Sequence, residues 1–341
     1  MTELYEEIEC LPEELDDEYE YFEIDEEEGR VALCTLGSIN WGAFRNPQDM
    51  RKACRVLVRS LSNLLNYQDF LSIQSKLANE DFEPLGVGIT NLAYWHARRH
   101  LKYGEGDSLS EVRRWMEHQA FYLTEMSVEL AEERGACKRS AYTYYGRGVF
   151  PWERRNKGVD ELVDFTPTLN WEPLREKMKQ HGIRNGTLMA VAPVESSSVV
   201  LNSTNGIEMP MELISVKESK AGSFVQVVPD YRKLKNRYEL MWDQKDCVGY
   251  LKTAAVLAAY IDQSLSTNTF YNPAYFPEGK VPGTIIAKNL MLAYKWGIKT
   301  IYYSLINKVG AKVTITSTNV VNAADNVIIY EDEADCMACK L

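Results

Sequence analysis

No apolar run in the 341-residue chain approaches the 18 residues that a membrane-spanning helix needs. The N-terminus has neither a basic n-region nor an apolar h-region, so no secretory signal is expected. Histidine is scarce, at four residues, and none belongs to an HExxH pattern; His96 and His100 stand at i, i+4 spacing but read as a solvated helix face. No block is basic enough for a nucleic-acid arm. The seven cysteines are odd in number and scattered, unlike a secreted disulfide framework, which points to a reducing compartment and a cytoplasmic setting. Gly86-Val87-Gly88 lacks the third glycine of a dinucleotide fingerprint and reads as close backbone packing.

Basic residues are also missing from the first 29 positions. Fifteen acids lie between Glu3 and Glu28, and the rest of the chain has 34 acids against 38 bases, so a net charge of −11 conceals a mildly basic body behind an acidic leader. The leader (1–29) reads as flexible. Ile8, Leu11, Leu15, Tyr19, Tyr21, Phe22 and Ile24 are interleaved with its acids, leaving room for ordering on a basic partner.

The body alternates strand-like and helix-like stretches, which predicts an α/β fold. Arg30 to Leu36 reads as a buried strand, Pro47 to Leu65 as a helix, and Ser108 to Gly135 as the clearest helix. Ser108 or Ser110 can cap that helix, Val112, Trp115, Met116, Leu123, Met126 and Leu130 form its stripe, and Gly135 can end it. Tyr142 to Asn170 reads as loop-rich, Tyr250 to Ile261 as a buried helix or a wall between domains, and Lys299 to Leu305 and Val313 to Ser317 as strands.

Three motifs carry possible chemistry. Leu188 to Ala192 is an apolar run followed by Pro193-Val194-Glu195-Ser196-Ser197-Ser198; a strand ending in a Ser-rich turn that opens a helix either caps that helix or offers amides and hydroxyls to an anion such as phosphate. Cys336-x-x-Cys339 fits half a zinc site, a thioredoxin-type motif without its strand and helix, or a dithiol on a flexible tail that exchanges with a disulfide elsewhere, with Cys34 as the internal candidate. Tyr302-Tyr303 are β-formers on opposite faces of a strand or, in a redox context, a pair of oxidisable phenols.

Taken in order, these elements resemble the large (catalytic, alpha) subunit of class I ribonucleotide reductase. The resemblance runs from about residue 30 to the end and is carried by Val31 to Leu36, Leu85 to Asn91, Pro193 to Ser198 with Asn202 to Pro210, Gln226 to Tyr231, Asp262-Gln263-Ser264, Phe276 to Pro282 and Ala293 to Tyr303. It implies the second half of a ten-stranded α/β barrel (30–310) and a redox-active tail (311–341). It also implies roles. Cys34 would be one of two thiols that reduce the 2′ position of a ribonucleoside diphosphate. Pro193, Val194, Glu195, Ser196, Ser197 and Ser198 would hold the diphosphate. Tyr302 and Tyr303 would relay the radical, and Cys336 and Cys339 would re-reduce the active-site disulfide before regeneration by thioredoxin or glutaredoxin. No cofactor or metal is expected on this chain. A tyrosyl radical with its di-iron centre is expected in the small subunit, and nucleotide effector sites in the N-terminal half.

The sequence departs from the family in one decisive respect. The finger-loop motif Asn-x-Cys-x-Glu, source of the thiyl radical, is missing; Leu4-Tyr5-Glu6-Glu7-Ile8 echoes it with Tyr5 at the cysteine position and Glu7 at the glutamate. Val194 replaces a common serine of the phosphate turn, and the tail cysteines are two residues apart where other members have four. The expectation is a naturally split large subunit, an arrangement that suggests a viral or mobile-element history. A separate chain would supply the N-terminal half and complete the barrel, and the isolated chain would be inactive. The competing expectations are a regulatory fragment that binds reductase subunits and a stand-alone disulfide reductase. Adenosylcobalamin and glycyl-radical reductases are disfavoured because the tyrosine pair has no task in them.

Overall fold

The structure is a computed structural model that describes residues 29–70, 72–219 and 222–307. The acidic leader, Val313 to Ser317 and both tail cysteines lie outside the described residues.

β1 (Thr35–Asn40) is followed by α1 (Arg51–Tyr67) and α2 (Ile73–Phe82), and β2 (Leu85–Thr90) pairs with β1 in parallel. The strand expected at Arg30 to Leu36 therefore begins five residues later, and Val31, Leu33 and Leu36 are exposed rather than buried. The expected helix from Pro47 opens as a 3-10 turn, with Pro47 at its first position and the Asn46 amide donating to Asp49 Oδ2 at 3.1 Å, and becomes α-helical at Arg51.

Next come α3 (Leu92–Arg99), the 29-residue α4 (Gly106–Arg134), α5 (Glu172–His181) and the short α6 (Glu195–Val200). The expected stripe of α4 is buried and Gly135, at φ 88°, ends the helix. Its expected caps are corrected: Glu105 is the N-cap, Ser108 is buried against His96, and Ser110 donates to the Gly106 carbonyl. His96 is likewise not on a solvated face; it is buried, with Nε2 2.8 Å from Ser108 Oγ and a pKa lowered by burial to about 3. Between α4 and α5 the chain forms loops and 3-10 turns, as expected. The fully buried Glu117 holds that stretch, accepting from Arg113 Nη1 at 3.0 Å, Thr168 N at 2.8 Å and Leu169 N at 3.0 Å.

An antiparallel hairpin, β3 (Ile214–Ser219) and β4 (Gly222–Val227), precedes α7 (Val248–Ala258), a buried helix packed on α4. β5 (Thr269–Tyr271), α8 (Gly283–Lys295) and β6 (Ser304–Ile306) close the described chain, β5 pairing with β6 in parallel. Backbone hydrogen bonds join these pieces. Val87 N donates to Leu188 O at 2.8 Å, Val191 N to Ser264 O at 3.1 Å, and Tyr302 N to Thr267 O at 2.8 Å. Five segments thus lie side by side in one parallel order: β1, β2, 187–192, 262–271 and 300–306. The α/β reading holds, and the described residues form an open array, not a closed barrel.

One face of this array is covered. Leu85, Val87 and Ile89 are fully buried, and a Cβ on Gly37 would stand 3.0 Å from Leu61 of α1. On the other face Gly86 and Gly88 allow close approach, because a Cβ on Gly88 would come within 2.8 Å of the Ala190 carbonyl oxygen. Close packing, the expected role of the Gly-x-Gly, is what these glycines serve.

Candidate functional site

A cavity of about 360 Å³ opens at the C-terminal ends of the inner segments. Its walls come from Val191 to Pro193 and Glu195, from the loop Ser203 to Glu212, from Gln226 to Val228 on the hairpin, from Ser266 and Asn268, and from Tyr302, Tyr303 and Leu305. The loop is fastened to the end of β2. Asn91, in the left-handed region at φ 69°, accepts from Thr204 N at 2.9 Å through Oδ1 and donates to Asn40 Oδ1 at 3.0 Å. Asn91 N donates to Thr204 O at 3.1 Å and Leu92 N to Gly206 O at 3.2 Å. Gly206, within this loop, has a positive φ of 44°.

The Ser-rich turn does open a helix, α6, with Val194 as N-cap and no side-chain cap. Pro193 and Glu195 reach the cavity wall, but Val194, Ser196, Ser197 and Ser198 do not. Ser196 and Ser197 are exposed, whereas Ser198 is buried and donates to the Glu195 carbonyl at 2.7 Å.

Tyr302 and Tyr303 stand together on the cavity wall instead of on opposite faces of a strand. Their ring centroids are 4.1 Å apart, and the Tyr303 hydroxyl lies 3.3 Å from that of Tyr302. Both are more than 40% exposed, so the pair can be approached from outside the chain. The strand expected from Lys299 begins only at Ser304.

Cys34 lies on the open face, not on the cavity wall. Its sulfur would stand 3.3 Å from a Cβ on Gly86. Desolvation against the sheet, and then the Asp262 carboxylate, raise its pKa, so it is held as a thiol at neutral pH. Cys54, Cys137 and Cys247 are buried, which leaves Cys34 as the exposed cysteine among the described residues.

Sequence reasoning did not single out Asn205, Glu208 or Asn268. Asn205 Oδ1 is a buried acceptor on the wall with no donor among the described residues. Glu208 accepts from Asn268 Nδ2, and Asn268 Oδ1 accepts from the Tyr303 N–H at 3.0 Å. Asn205 and Glu208 fall in the Asn202 to Pro210 stretch, the one sequence signal that could have marked them.

Residues 18–246 and 231–304 match the ribonucleotide reductase barrel domain. The chain is 40% identical over 281 residues to the ribonucleoside-diphosphate reductase subunit alpha of Buchnera aphidicola subsp. Baizongia pistaciae, covering 82% of this chain and 37% of that protein. Against ribonucleoside-diphosphate reductase 1 subunit alpha of Escherichia coli K12 the figures are 38% over 279 residues, 81% and 35%. Against the subunit alpha of enterobacteria phage T4 they are 35% over 324 residues, 94% and 41%. The T4 match leaves out only 6% of this chain, so it enters both the acidic leader and the C-terminal tail. The chain spans well under half the length of these relatives, and its matched part belongs to the ribonucleotide reductase barrel domain family.

Proposed function

We propose that this chain is the C-terminal part of the catalytic subunit of a class I ribonucleoside-diphosphate reductase, active once assembled with a polypeptide that carries the thiyl cysteine. The observation that carries the reading is the tyrosine pair on the wall of the cavity that also receives Glu195, in a chain of this family. Two phenols with oxygens 3.3 Å apart can pass an oxidising equivalent by coupled proton and electron transfer, because each loses its proton as it is oxidised. Their exposure leaves them accessible to a radical-generating small subunit. That subunit would supply the tyrosyl radical and its di-iron centre.

The ribonucleoside diphosphate would lie in the cavity, its phosphates toward Pro193 to Ser198, with Asn205 Oδ1 able to accept from a ligand hydroxyl. Cys34 and a second thiol from the complementary half would together deliver two electrons and two protons as the 2′ hydroxyl leaves as water, and would end as a disulfide. A thiol held protonated suits that delivery. Cys336 and Cys339 would then exchange with the disulfide and be restored by thioredoxin or glutaredoxin.

The open face gives the complementary half a place to dock. Leu36 is 52% exposed beside Cys34, and β1 presents an edge unpaired among the described residues. Reconstitution with the half that bears Asn-x-Cys-x-Glu and with the small subunit tests the proposal. Reduction of a ribonucleoside diphosphate by the mixture, lost in Cys34→Ser, supports it. Disulfide turnover by the chain alone, unaffected by either partner, contradicts it.

A further inference from the structure

The Tyr303 N–H has a side chain as its acceptor, Asn268 Oδ1 at 3.0 Å, while its neighbour Tyr302 donates to the backbone of Thr267. The Tyr303 carbonyl accepts from Thr269 N at 2.8 Å. Residues 267–269 therefore grip the tyrosine pair at three points, and the middle point is an amide side chain that could face either way. Its orientation is set from the other end. Glu208 receives Asn268 Nδ2 on its carboxylate. An ionised carboxylate only accepts and a backbone N–H only donates, so Asn268 has one satisfactory orientation. Turned over, it would set oxygen against oxygen at Glu208 and hydrogen against hydrogen at Tyr303. Glu208, Asn268, Tyr302 and Tyr303 all line the same cavity.

We propose that Glu208 is a positioning residue for the tyrosine pair, acting through Asn268 on the backbone of Tyr303. The relay role of the pair rests on the function proposed above, but the mechanical link does not. Glu208 fixes Asn268, Asn268 fixes the Tyr303 amide, and the amide sets where the Tyr303 ring meets that of Tyr302. Relay geometry is sensitive to displacements of an ångström, so loss of the link slows transfer without removing either phenol.

The test reads the link directly, in the full chain, by hydrogen exchange of the Tyr303 amide in 15N-tyrosine-labelled protein, with Tyr303→Phe identifying the signal. Glu208→Ala frees Asn268, and exchange at Tyr303 speeds up about tenfold. Glu208→Gln keeps an acceptor oxygen and retains most of the protection. Asn268→Asp sets two carboxylates together; protection is lost at neutral pH and returns as the pH falls and one of them takes a proton. Combining Glu208→Gln with Asn268→Asp swaps donor and acceptor, so the pair is satisfied again and protection returns at neutral pH. Unchanged exchange in Glu208→Ala, or failure of the double variant to recover beyond Asn268→Asp, overturns the proposal. Turnover in the reconstituted enzyme separates the two levels. If Tyr303→Phe is as active as the parent, the relay reading fails while the exchange results stand on their own.

Discussion

The two faces of the parallel array obey different rules. On the covered face Leu85, Val87 and Ile89 are fully buried beneath the helices, and Trp41, Trp95 and Trp115 cluster with centroids 5.2–5.5 Å apart. On the open face Leu36 stands exposed next to Cys34. Apolar burial accounts for the first face and not for the second. An exposed leucine beside an exposed thiol, at a strand edge unpaired among the described residues, is where the proposed complementary half would dock. The comparison separates residues that serve stability from residues proposed to serve chemistry, and substitutions should respect that division.

The largest effect is expected beyond the covered face. Cys34→Ser and Tyr303→Phe should each lower nucleotide reduction by the reconstituted enzyme roughly 10³-fold or more, while thermal melting shifts the folding free energy by no more than about 0.5 kcal/mol. A parallel loss of stability would erase the contrast. The covered face should behave in reverse. Leu85→Ala leaves a cavity in a strand with every residue buried and should cost about 2–5 kcal/mol in urea unfolding, with activity falling only as folded protein is lost.

Acid sharpens the comparison further. His96 sits within the covered core with its pKa depressed to about 3, whereas the unfolded chain takes up a proton near the ordinary value of 6.5. A base with a depressed folded pKa leaves stability intact above 6.5 and removes it as the pH falls toward 3, by about 1.4 kcal/mol per unit. Unfolding measured between pH 7 and 5 should show this slope, and His96→Gln should flatten it. The smallest effect is expected on the outside of the helical layer. Arg51, Arg55 and Arg59 of α1 meet Glu125, Glu129 and Glu133 of α4 in a ladder of exposed or half-exposed pairs at 2.5–2.7 Å. Arg55→Ala should change stability by at most about 1 kcal/mol, and less in high salt.

How far the sequence was legible follows the same division. Periodicity gave the stripe of α4, because apolar spacing reports which side meets a core, and the nearly all-apolar run from Tyr250, read as a buried helix or a wall between domains, is the buried helix α7. The expected strand is misplaced by five residues, since the exposed apolar residues Val31, Leu33 and Leu36 imitate a buried run. His96 was misread because its polar partner, Ser108, lies twelve residues away on another helix, beyond any local pattern. Of the residues that the family resemblance named, Pro193, Glu195, Tyr302 and Tyr303 line the cavity, beside Asn205, Glu208 and Asn268, which sequence reasoning did not single out. Glu208 and Asn268 act through one contact across 60 residues of chain, and no spacing rule encodes such a contact.

Cys34 is proposed to work against a second thiol brought to the open face by the complementary half. A single turnover tests it most directly. The chain, with Cys336→Ser and Cys339→Ser so that the tail cannot re-reduce the site, is mixed with the half that bears Asn-x-Cys-x-Glu, the small subunit and one equivalent of a ribonucleoside diphosphate. The reaction is quenched in acid and its disulfides are mapped by mass spectrometry. The account predicts Cys34 joined to a cysteine of the complementary half, in an amount equal to the deoxynucleotide formed. Deoxynucleotide formed while Cys34 remains a free thiol would contradict it.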